Sequence, residues 1–253
     1  MTAKPLIALP AGWALVRLSS TDSTNAQLRA RAIAGAPEGT VVWADEQTAG
    51  RGRQEREWKS GGVNLLFSVL ARPDCDLAAA GQLSFMSAVA MAEAVERVAP
   101  SVRLQCKWPN DLLGTHGKLC GILLEGCGIR DGDRIDGVVV GIGLNMDWKP
   151  EGETLYPASS LAREGAATTR EAVLEAFLGR FAAWLECWRA EGFGPLREAW
   201  LARARGLGGP VTVRLPGETV HGTFETLDAD GALVLSGLPE GKRLIHAGDV
   251  FFG

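Results

Sequence analysis

The strongest constraint on the fold is a change of sequence pattern near residue 208. Before it, apolar segments of strand length alternate with longer segments of helical periodicity, which predicts a mixed α/β region. After it, only short β-type segments separated by turn residues occur, which predicts a small all-β domain. We therefore expect two domains, 1–208 and 209–253. The predicted C-terminal strands are Val211–Leu215, Val220–Leu227, Ala232–Leu235 and Lys242–His246.

The larger region has the pattern of a sheet with helices packed on it. Val63–Leu70 is almost continuously apolar, as in a strand that is buried on both faces. Two capping boxes, Thr24 with Gln27 and Thr168 with Glu171, mark predicted helix starts. The other predicted strands are Trp13–Leu18, Thr40–Ala44, Val102–Trp108, Lys118–Glu125 and Gly137–Leu144, and the predicted helices cover 24–33, 82–98, a segment after 168, and 196–204.

Composition excludes several classes of protein. Hydrophobic residues make up 46% of the 253 residues and charged residues 22%, which is the balance of a soluble globular protein. The sequence shows no signal peptide and no apolar run that could cross a membrane, so we expect a cytoplasmic protein without a membrane partner. The five cysteines are an odd number without a C-x-x-C pair, which fits a reducing compartment and disfavours a zinc cluster. The net charge of −4 disfavours nucleic acid as a partner.

A long loop between two predicted strands carries the most distinctive motif. Residues 45–62 lack periodicity and contain Gly50-Arg51-Gly52-Arg53, with Trp58 shortly after. Glycines let a backbone approach an anion, arginines supply forked donors to carboxylate or phosphate, and a tryptophan can stack on a nucleobase. A solvated basic loop with a core tryptophan is the alternative. The loop is not a Walker A motif, because it lacks the pattern G-x-x-x-x-G-K-S/T.

Three further segments place polar residues at the ends of predicted strands. They are Lys107-Trp108-Pro109-Asn110-Asp111, Lys118 at the start of an apolar strand, and Gly141-Ile142-Gly143-Leu144-Asn145. A lysine at a strand end is either a charge that faces a pocket or a side chain that extends into water. Alternating glycines in an apolar strand indicate that another group packs closely against one face, with a β-bulge as the alternative.

The order and spacing of these segments are specific. Ser23-Thr24-Asn25, the run from Glu46 to Arg53, the Lys107–Asp111 segment, Lys118 with Gly121, and Gly141-x-Gly143-x-Asn145 together closely resemble the biotin–protein ligases over nearly the whole chain. The resemblance implies an α+β fold: a mixed β-sheet flanked by helices, as in class II synthetases and biotin–lipoate ligases, plus a small C-terminal SH3-like β-barrel. Some members of the family carry a helix-turn-helix repressor domain before the catalytic domain. Since the first predicted strand begins near Trp13, we expect an enzyme without transcriptional repressor activity.

The resemblance also implies a two-step reaction. Biotin and ATP, with Mg²⁺, form biotinyl-5′-AMP, and the biotinyl group then passes to a lysine of a biotin carboxyl carrier domain. The family often forms homodimers through a sheet edge, for which no residue here gives direct evidence, and the metal ligands stay unassigned. The implied catalytic residues are Lys118, Arg53, Lys107 and Asp111. Those implied to bind biotin are Ser23, Thr24, Asn25, Gln47, Gly50, Arg51, Gly52, Lys118, Gly121, Gly141 and Gly143, and those implied to bind ATP are Arg53, Arg56, Trp58, Asn110, Lys118 and Asn145.

One residue departs from the family pattern. The loop of the family commonly continues as G-R-G-R-x-G-R-x-W, but this chain has Glu55 in place of the third glycine. A glutamate adopts positive φ poorly and adds a negative charge beside bound phosphates.

Three alternatives stay open. A lipoate–protein ligase would share the fold and the chemistry, and a non-catalytic sensor of biotin or nucleotide would share the loop. A nucleic-acid-binding module is disfavoured by the net charge of −3 in residues 209–253.

Overall fold

Two β-sheets organise the chain. The computed structural model describes residues 7–59, 61, 63–130, 132–148, 150, 156–239 and 241–252. Of Glu55 it describes only the backbone. A seven-stranded sheet belongs to the first 144 residues, and a five-stranded sheet begins at Pro210. The larger part of the loop 45–62 is described, whereas its residues 60 and 62 lie outside the described residues.

The larger sheet is mixed, as predicted. Its strands are β1 (Ala14–Leu18), β2 (Thr40–Ala44), β3 (Leu65–Ala71), β4 (Gln105–Lys107), β5 (Asp111–Leu113), β6 (Lys118–Gly126) and β7 (Val138–Leu144). They lie in the order β1-β2-β3-β7-β6-β5-β4. The pair β1–β2 is parallel and the other neighbouring pairs are antiparallel.

One segment of this sheet differs from the prediction. The predicted strand Val102–Trp108 is only the three-residue β4, and the chain then turns at residues 108–110 into β5, which was not predicted. Because Pro109 cannot donate to a strand ladder, a turn at this position is physically reasonable. The turn brings Lys107 and Asp111 opposite each other as a β4–β5 register pair.

Helices cover both faces of the larger sheet. They are α1 (Thr24–Ile33), α2 (Leu77–Gly81), α3 (Leu83–Val98), α4 (Arg170–Glu191) and α5 (Phe193–Leu201). Both predicted capping residues are wrong by one position. Ser23, not Thr24, caps α1 through the Ala26 amide, and Thr169, not Thr168, caps α4 through the Ala172 amide. Thr24 is already helical, so its side chain is free for a contact outside the helix.

Strand β3 is continuously apolar because both of its faces are buried. Leu65, Phe67 and Val69 face the main hydrophobic core with α3 and α4, whereas Leu70 packs with Leu28 of α1 on the opposite face. The segment Leu77–Val98 is long and apolar enough to cross a membrane, but 78% of its 18-residue apolar window is buried within the fold. It is therefore a core helix segment that covers the sheet.

The C-terminal sheet is antiparallel. Its strands are β8 (Pro210–Leu215), β9 (Glu218–Leu227), β10 (Leu233–Leu238), β11 (Gly241–Ile245) and β12 (Asp249–Phe252), in the order β11-β10-β9-β8-β12. Among the described residues β11 and β12 do not pair, so the sheet is open there and not a closed barrel. The sequence pattern did not predict β12. The turn between β9 and β10 contacts the larger sheet's β4–β5 turn, where Trp108 Nε1 donates to the Gly231 carbonyl at 3.1 Å.

Candidate active site

A cavity of about 400 Å³ lies over β6 and β7, between the start of α1, the loop around residues 51–59, and the start of β12. Every residue that the sequence assigned to a site lines it, with the exception of Gly50. The residues that line the cavity and were predicted are Ser23, Thr24, Asn25, Gln47, Arg51, Gly52, Arg53, Arg56, Trp58, Lys107, Asn110, Asp111, Lys118, Gly121, Gly141, Gly143 and Asn145.

The start of α1 forms a buried polar wall at one end of the cavity. The backbone N–H and the hydroxyl of Thr24 both donate to Gln47 Oε1, at 2.7 and 3.0 Å. Ser68 Oγ lies 2.8 Å from Thr24 Oγ1 and 2.6 Å from Asn25 Oδ1. Since buried polar groups with satisfied partners are rigid, this wall presents its remaining donors and acceptors in a fixed arrangement.

The glycines of β6 and β7 are explained by what packs on them. A Cβ at Gly143 would lie 2.4 Å from Trp58, and one at Gly121 would lie 2.7 Å from the same ring. A Cβ at Gly141 would lie 2.1 Å from Asn25 Oδ1. The prediction that another group packs closely against this face is confirmed, and the group is the tryptophan of the loop together with the first turn of α1.

A buried charge cluster lies at the other end of the cavity. Asp111 contacts Lys107 Nζ at 3.3 Å and Lys118 Nζ at 2.6 Å, and Lys107 Nζ lies 3.7 Å from the centre of the Tyr156 ring. Burial alone would raise the pKa of Asp111, but the two lysines outweigh it and hold that pKa below its usual value. Burial lowers the pKa of Lys107, although Asp111 opposes the change. The cluster holds two cations close to one anion, so it retains positive charge toward the cavity.

Residues 50–58, called the arginine loop below, fold back as a hairpin. The Trp58 amide donates to the Gly50 carbonyl at 2.9 Å, and the Gly52 amide donates to the Arg56 carbonyl at 2.6 Å. Gly50 does not line the cavity, but a Cβ there would lie 2.6 Å from the Trp58 carbonyl oxygen. A glycine at position 50 is therefore required for the hairpin to close.

The arginines of this loop have different partners. Arg51 pairs with Glu125 at 3.0 Å and Arg56 pairs with Asp249 at 3.0 Å. Arg53 donates to Asn110 Oδ1 at 3.3 Å and has no ion pair among the described residues. Burial lowers the pKa of Arg53, although Asp249 and Asp111 oppose the change, and an arginine stays charged under such conditions. Arg53 is thus a partly buried cation that can bind an anion in the cavity.

Comparison with known proteins decides the family. The model described as "Biotin/lipoate A/B protein ligase family" matches residues 9–202, and the one described as "Biotin protein ligase C terminal domain" matches residues 206–253. The biotin–acetyl-CoA-carboxylase ligase of Paracoccus denitrificans is 41% identical, over 93% of this chain and 99% of its own length. The chain belongs to the biotin protein ligase family.

Other relatives agree with this assignment. The bifunctional ligase/repressor BirA of Bacillus subtilis is 35% identical to this biotin protein ligase, over 93% of the chain and 72% of the relative. The structure of the Aquifex aeolicus biotin protein ligase in complex with biotin and ATP matches with a TM-score of 0.79 and 27% identity. That match covers 94% of this chain and 97% of the other.

Asn145 of this ligase is held within the protein. Its Nδ2 donates to the Ser159 carbonyl at 2.9 Å, and its Oδ1 accepts from Asn64 Nδ2 at 3.2 Å. The residue is 3% exposed and borders the cavity. An amide that is fixed by protein partners on both sides can shape a pocket, and it keeps one Nδ2 hydrogen and one Oδ1 lone pair for a bound molecule.

Sequence reasoning missed several residues of the site. Tyr156 and Asp249 line the cavity, and Glu125 binds both Arg51 and Asn25 just beyond it. The two-residue period of β6 could have indicated Glu125, because it lies on the same face as Gly121. No local signal marks Tyr156 or Asp249, since they reach the site only through the packing of β12 and its neighbours.

The ligase offers no preformed metal site in the part of the chain that the structure describes. No group of three or more His, Cys, Asp or Glu side chains lies together there. The buried carboxylate of Asp111 has one oxygen on Lys107 and the other on Lys118. A resident divalent cation would have to compete with both lysines, so the donor set does not fit one.

Proposed function

We propose that this ligase joins biotin to ATP to form biotinyl-5′-AMP and then transfers the biotinyl group to a lysine of the biotin carboxyl carrier domain of acetyl-CoA carboxylase or a related carboxylase. The observation that carries the proposal is the single cavity in which a polar wall and the cations Arg53, Lys107 and Lys118 face each other. A carboxylate substrate with a polar ring, activated by a nucleotide, matches these two ends in chemistry.

In the first step a biotin carboxylate oxygen attacks the α-phosphorus of ATP, and the bond to pyrophosphate breaks. Both reactants are anions, so the cavity must cancel their repulsion. Lys118 and Arg53 are proposed to hold the carboxylate and the α-phosphate together and to stabilise the charge that builds up on the phosphoryl oxygens. Arg53 suits this role because it has no ion pair among the described residues.

The polar wall and Trp58 are proposed to bind different parts of the substrates. Thr24 and Gln47 form the polar wall, and Trp58 stands over the glycines of the sheet. We assign the ureido ring of biotin to the wall and the adenine to the side of Trp58. The remaining biotin-side residues are Ser23, Asn25, Gly50, Arg51, Gly52, Gly121, Gly141 and Gly143, and the remaining ATP-side residues are Arg56, Asn110 and Asn145.

In the second step the amine of the carrier lysine attacks the biotinyl carbonyl carbon of the mixed anhydride, and AMP leaves. Lys107 and Asp111 border this region and are proposed to keep its charge balanced as AMP departs. The arginine loop covers the reactive adenylate, which reduces hydrolysis by water. Mg²⁺ is proposed to enter with ATP as part of the substrate, with phosphate oxygens as its main ligands.

Several finer predictions belong to the same proposal. They are a catalytic domain over 1–208, a C-terminal domain over 209–253 that resembles an SH3 barrel, a cytoplasmic location, and the absence of repressor activity. A homodimer is a further prediction, which the molecular mass in solution tests. An operator-binding assay tests the absence of repressor activity.

Mass spectrometry of a carrier domain tests the proposal. The purified chain is incubated with ATP, Mg²⁺ and an apo biotin carboxyl carrier domain, with either biotin or lipoate. We expect one biotinyl group on one lysine and no lipoyl group. Lipoyl transfer without biotinyl transfer would replace this proposal with the lipoate ligase alternative, and transfer of neither would favour a non-catalytic sensor.

A further inference from the structure

Glu125 is near the end of the apolar strand that begins at Lys118, and the sequence analysis gave it no role in the site. On β6, alternate residues face the same side of the sheet, and Gly121 and Leu123 on that side line the cavity. Glu125 is the next residue on this side, and its side chain is 23% exposed. A carboxylate at this position stands at the edge of the polar wall, where the arginine loop passes.

The carboxylate of Glu125 connects two parts of the site. Its Oε1 and Oε2 accept from Arg51 Nη2 at 3.0 and 3.3 Å. Its Oε2 also accepts from Asn25 Nδ2 at 2.6 Å. A carboxylate has enough lone pairs for both partners at once. One side chain of the sheet thus holds the arginine loop and the first turn of α1 together.

Several contacts hold the arginine loop in place. Trp58 packs on the glycines of the sheet, and Arg53 and Arg56 bond to groups at the far end of the cavity. Arg51 and Glu57 form an isolated antiparallel bridge, which joins the hairpin to itself. The pair with Glu125 is the only ion pair that Arg51 makes among the described residues, so it is what links Arg51 to β6 beside the polar wall.

We propose that Glu125 is a positioning residue that holds the arginine loop closed over bound biotin, acting through Arg51. The inference rests on the proposed function, because it assigns biotin to the space under the loop. A ligand under a loop can leave only after the loop opens. Breaking the ion pair therefore raises the rate of biotin dissociation, while the reacting groups themselves are unchanged.

The variant Glu125→Gln tests this. Its amide oxygen can still accept from Asn25, but the charge that attracts Arg51 is gone. We expect biotin to dissociate about five-fold faster in a chase of labelled by unlabelled biotin, as fits the loss of one partly exposed charged pair. The KM for biotin should rise by a similar factor, and kcat of ATP–pyrophosphate exchange at saturating biotin should change less than two-fold.

A double-mutant cycle separates the proposed positioning role of Glu125 from a merely structural role. Arg51→Ala breaks the same pair from the exposed side and should raise the dissociation rate at least as much as Glu125→Gln, because Arg51 also lines the cavity. Adding Glu125→Gln to Arg51→Ala should then have almost no further effect. Fully additive effects, or an unchanged rate in Glu125→Gln, would overturn the proposal.

A matched control uses another carboxylate of similar exposure. Glu96 pairs with Arg203 at 3.2 Å, and neither lines the cavity. Glu96→Gln should leave the rate of biotin dissociation unchanged. If it accelerated dissociation as much as Glu125→Gln does, the positioning role of Glu125 would be overturned. The wild-type chain tests the proposed function separately. If it does not bind biotin, the proposed function is wrong. If it binds biotin and Glu125→Gln changes nothing, only the positioning role of Glu125 is wrong.

Discussion

Removing the charge of Asp111 should destabilise the whole fold, because it leaves a buried lysine without its partner. Asp111 is 5% exposed and Lys107 is 2% exposed, and Asp111 is the only carboxylate that pairs with Lys107 among the described residues. In Asp111→Asn, the ammonium of Lys107 keeps its desolvation cost and loses the attraction that offsets it. The other partner, Lys118, has a side chain that is 25% exposed and can turn toward water.

The size and sign of the effect follow from this geometry. Breaking a buried ion pair from one side costs about 3 kcal/mol of unfolding free energy. Burial already lowers the pKa of Lys107, and without Asp111 that pKa falls further. The unfolded chain then binds more protons than the folded chain over a wider pH range. The unfolding free energy of the variant therefore rises with pH. The loss should therefore be largest near pH 6 and smaller at pH 9, where more of the folded Lys107 is neutral.

Urea unfolding at several pH values measures this loss. Asp74→Asn is the matched control, since the Asp74 side chain is 72% exposed beside Arg130 and Arg134, and it should cost far less than Asp111→Asn. The double variant Lys107→Met with Asp111→Asn removes both charges and should recover about 2 kcal/mol of the loss. A loss below about 1 kcal/mol in Asp111→Asn, or no recovery in the double variant, would show that the pair with Asp111 does not stabilise the buried Lys107.

Three further predictions concern the arginine loop and the sheet beneath it. Gly143→Ala should raise the KM for ATP by about ten-fold in steady-state kinetics, because its Cβ would lie 2.4 Å from Trp58, to whose side the adenine is assigned. Gly179→Ala is the control, since a Cβ there meets no atom within 4 Å. Arg53→Gly should release biotinyl-5′-AMP faster, seen as increased labelling of unrelated proteins; an unchanged rate of adenylate release would count against its assigned role. Gln54 has φ of 54°, so Gln54→Val should destabilise the loop by about 1 kcal/mol and accelerate biotin dissociation, whereas Gln54→Gly should not.

The glycines of β7 show how far local sequence leads. Their alternation predicted that something packs on one face of the strand, and this is confirmed. The identity of that partner could not be predicted, because Trp58 and Asn25 are distant from Gly143 and Gly141 in the sequence and meet them through the tertiary fold. Local periodicity describes a strand, whereas the neighbour above it depends on long-range topology.

The sequence identified cavity-lining residues where they lie in motifs and missed those that do not. Lys107, Asp111 and Lys118 stand at strand ends, so the sequence brought them to one edge of the sheet, where the structure joins them. Asp249 belongs to a four-residue strand that the pattern did not predict, and Glu125 is one charged residue at the end of an apolar strand. Such residues become recognisable only through their partners in space.

Biotin-dependent exchange of radiolabelled pyrophosphate into ATP tests adenylate formation most directly. We expect exchange by the purified chain with biotin and none without it. In Lys118→Ala the rate should fall at least about 100-fold, because this variant removes a cation from the phosphoryl-transfer site, while circular dichroism stays unchanged. Exchange that does not need biotin, or a wild-type rate in Lys118→Ala, would rule out the proposed reaction at this site.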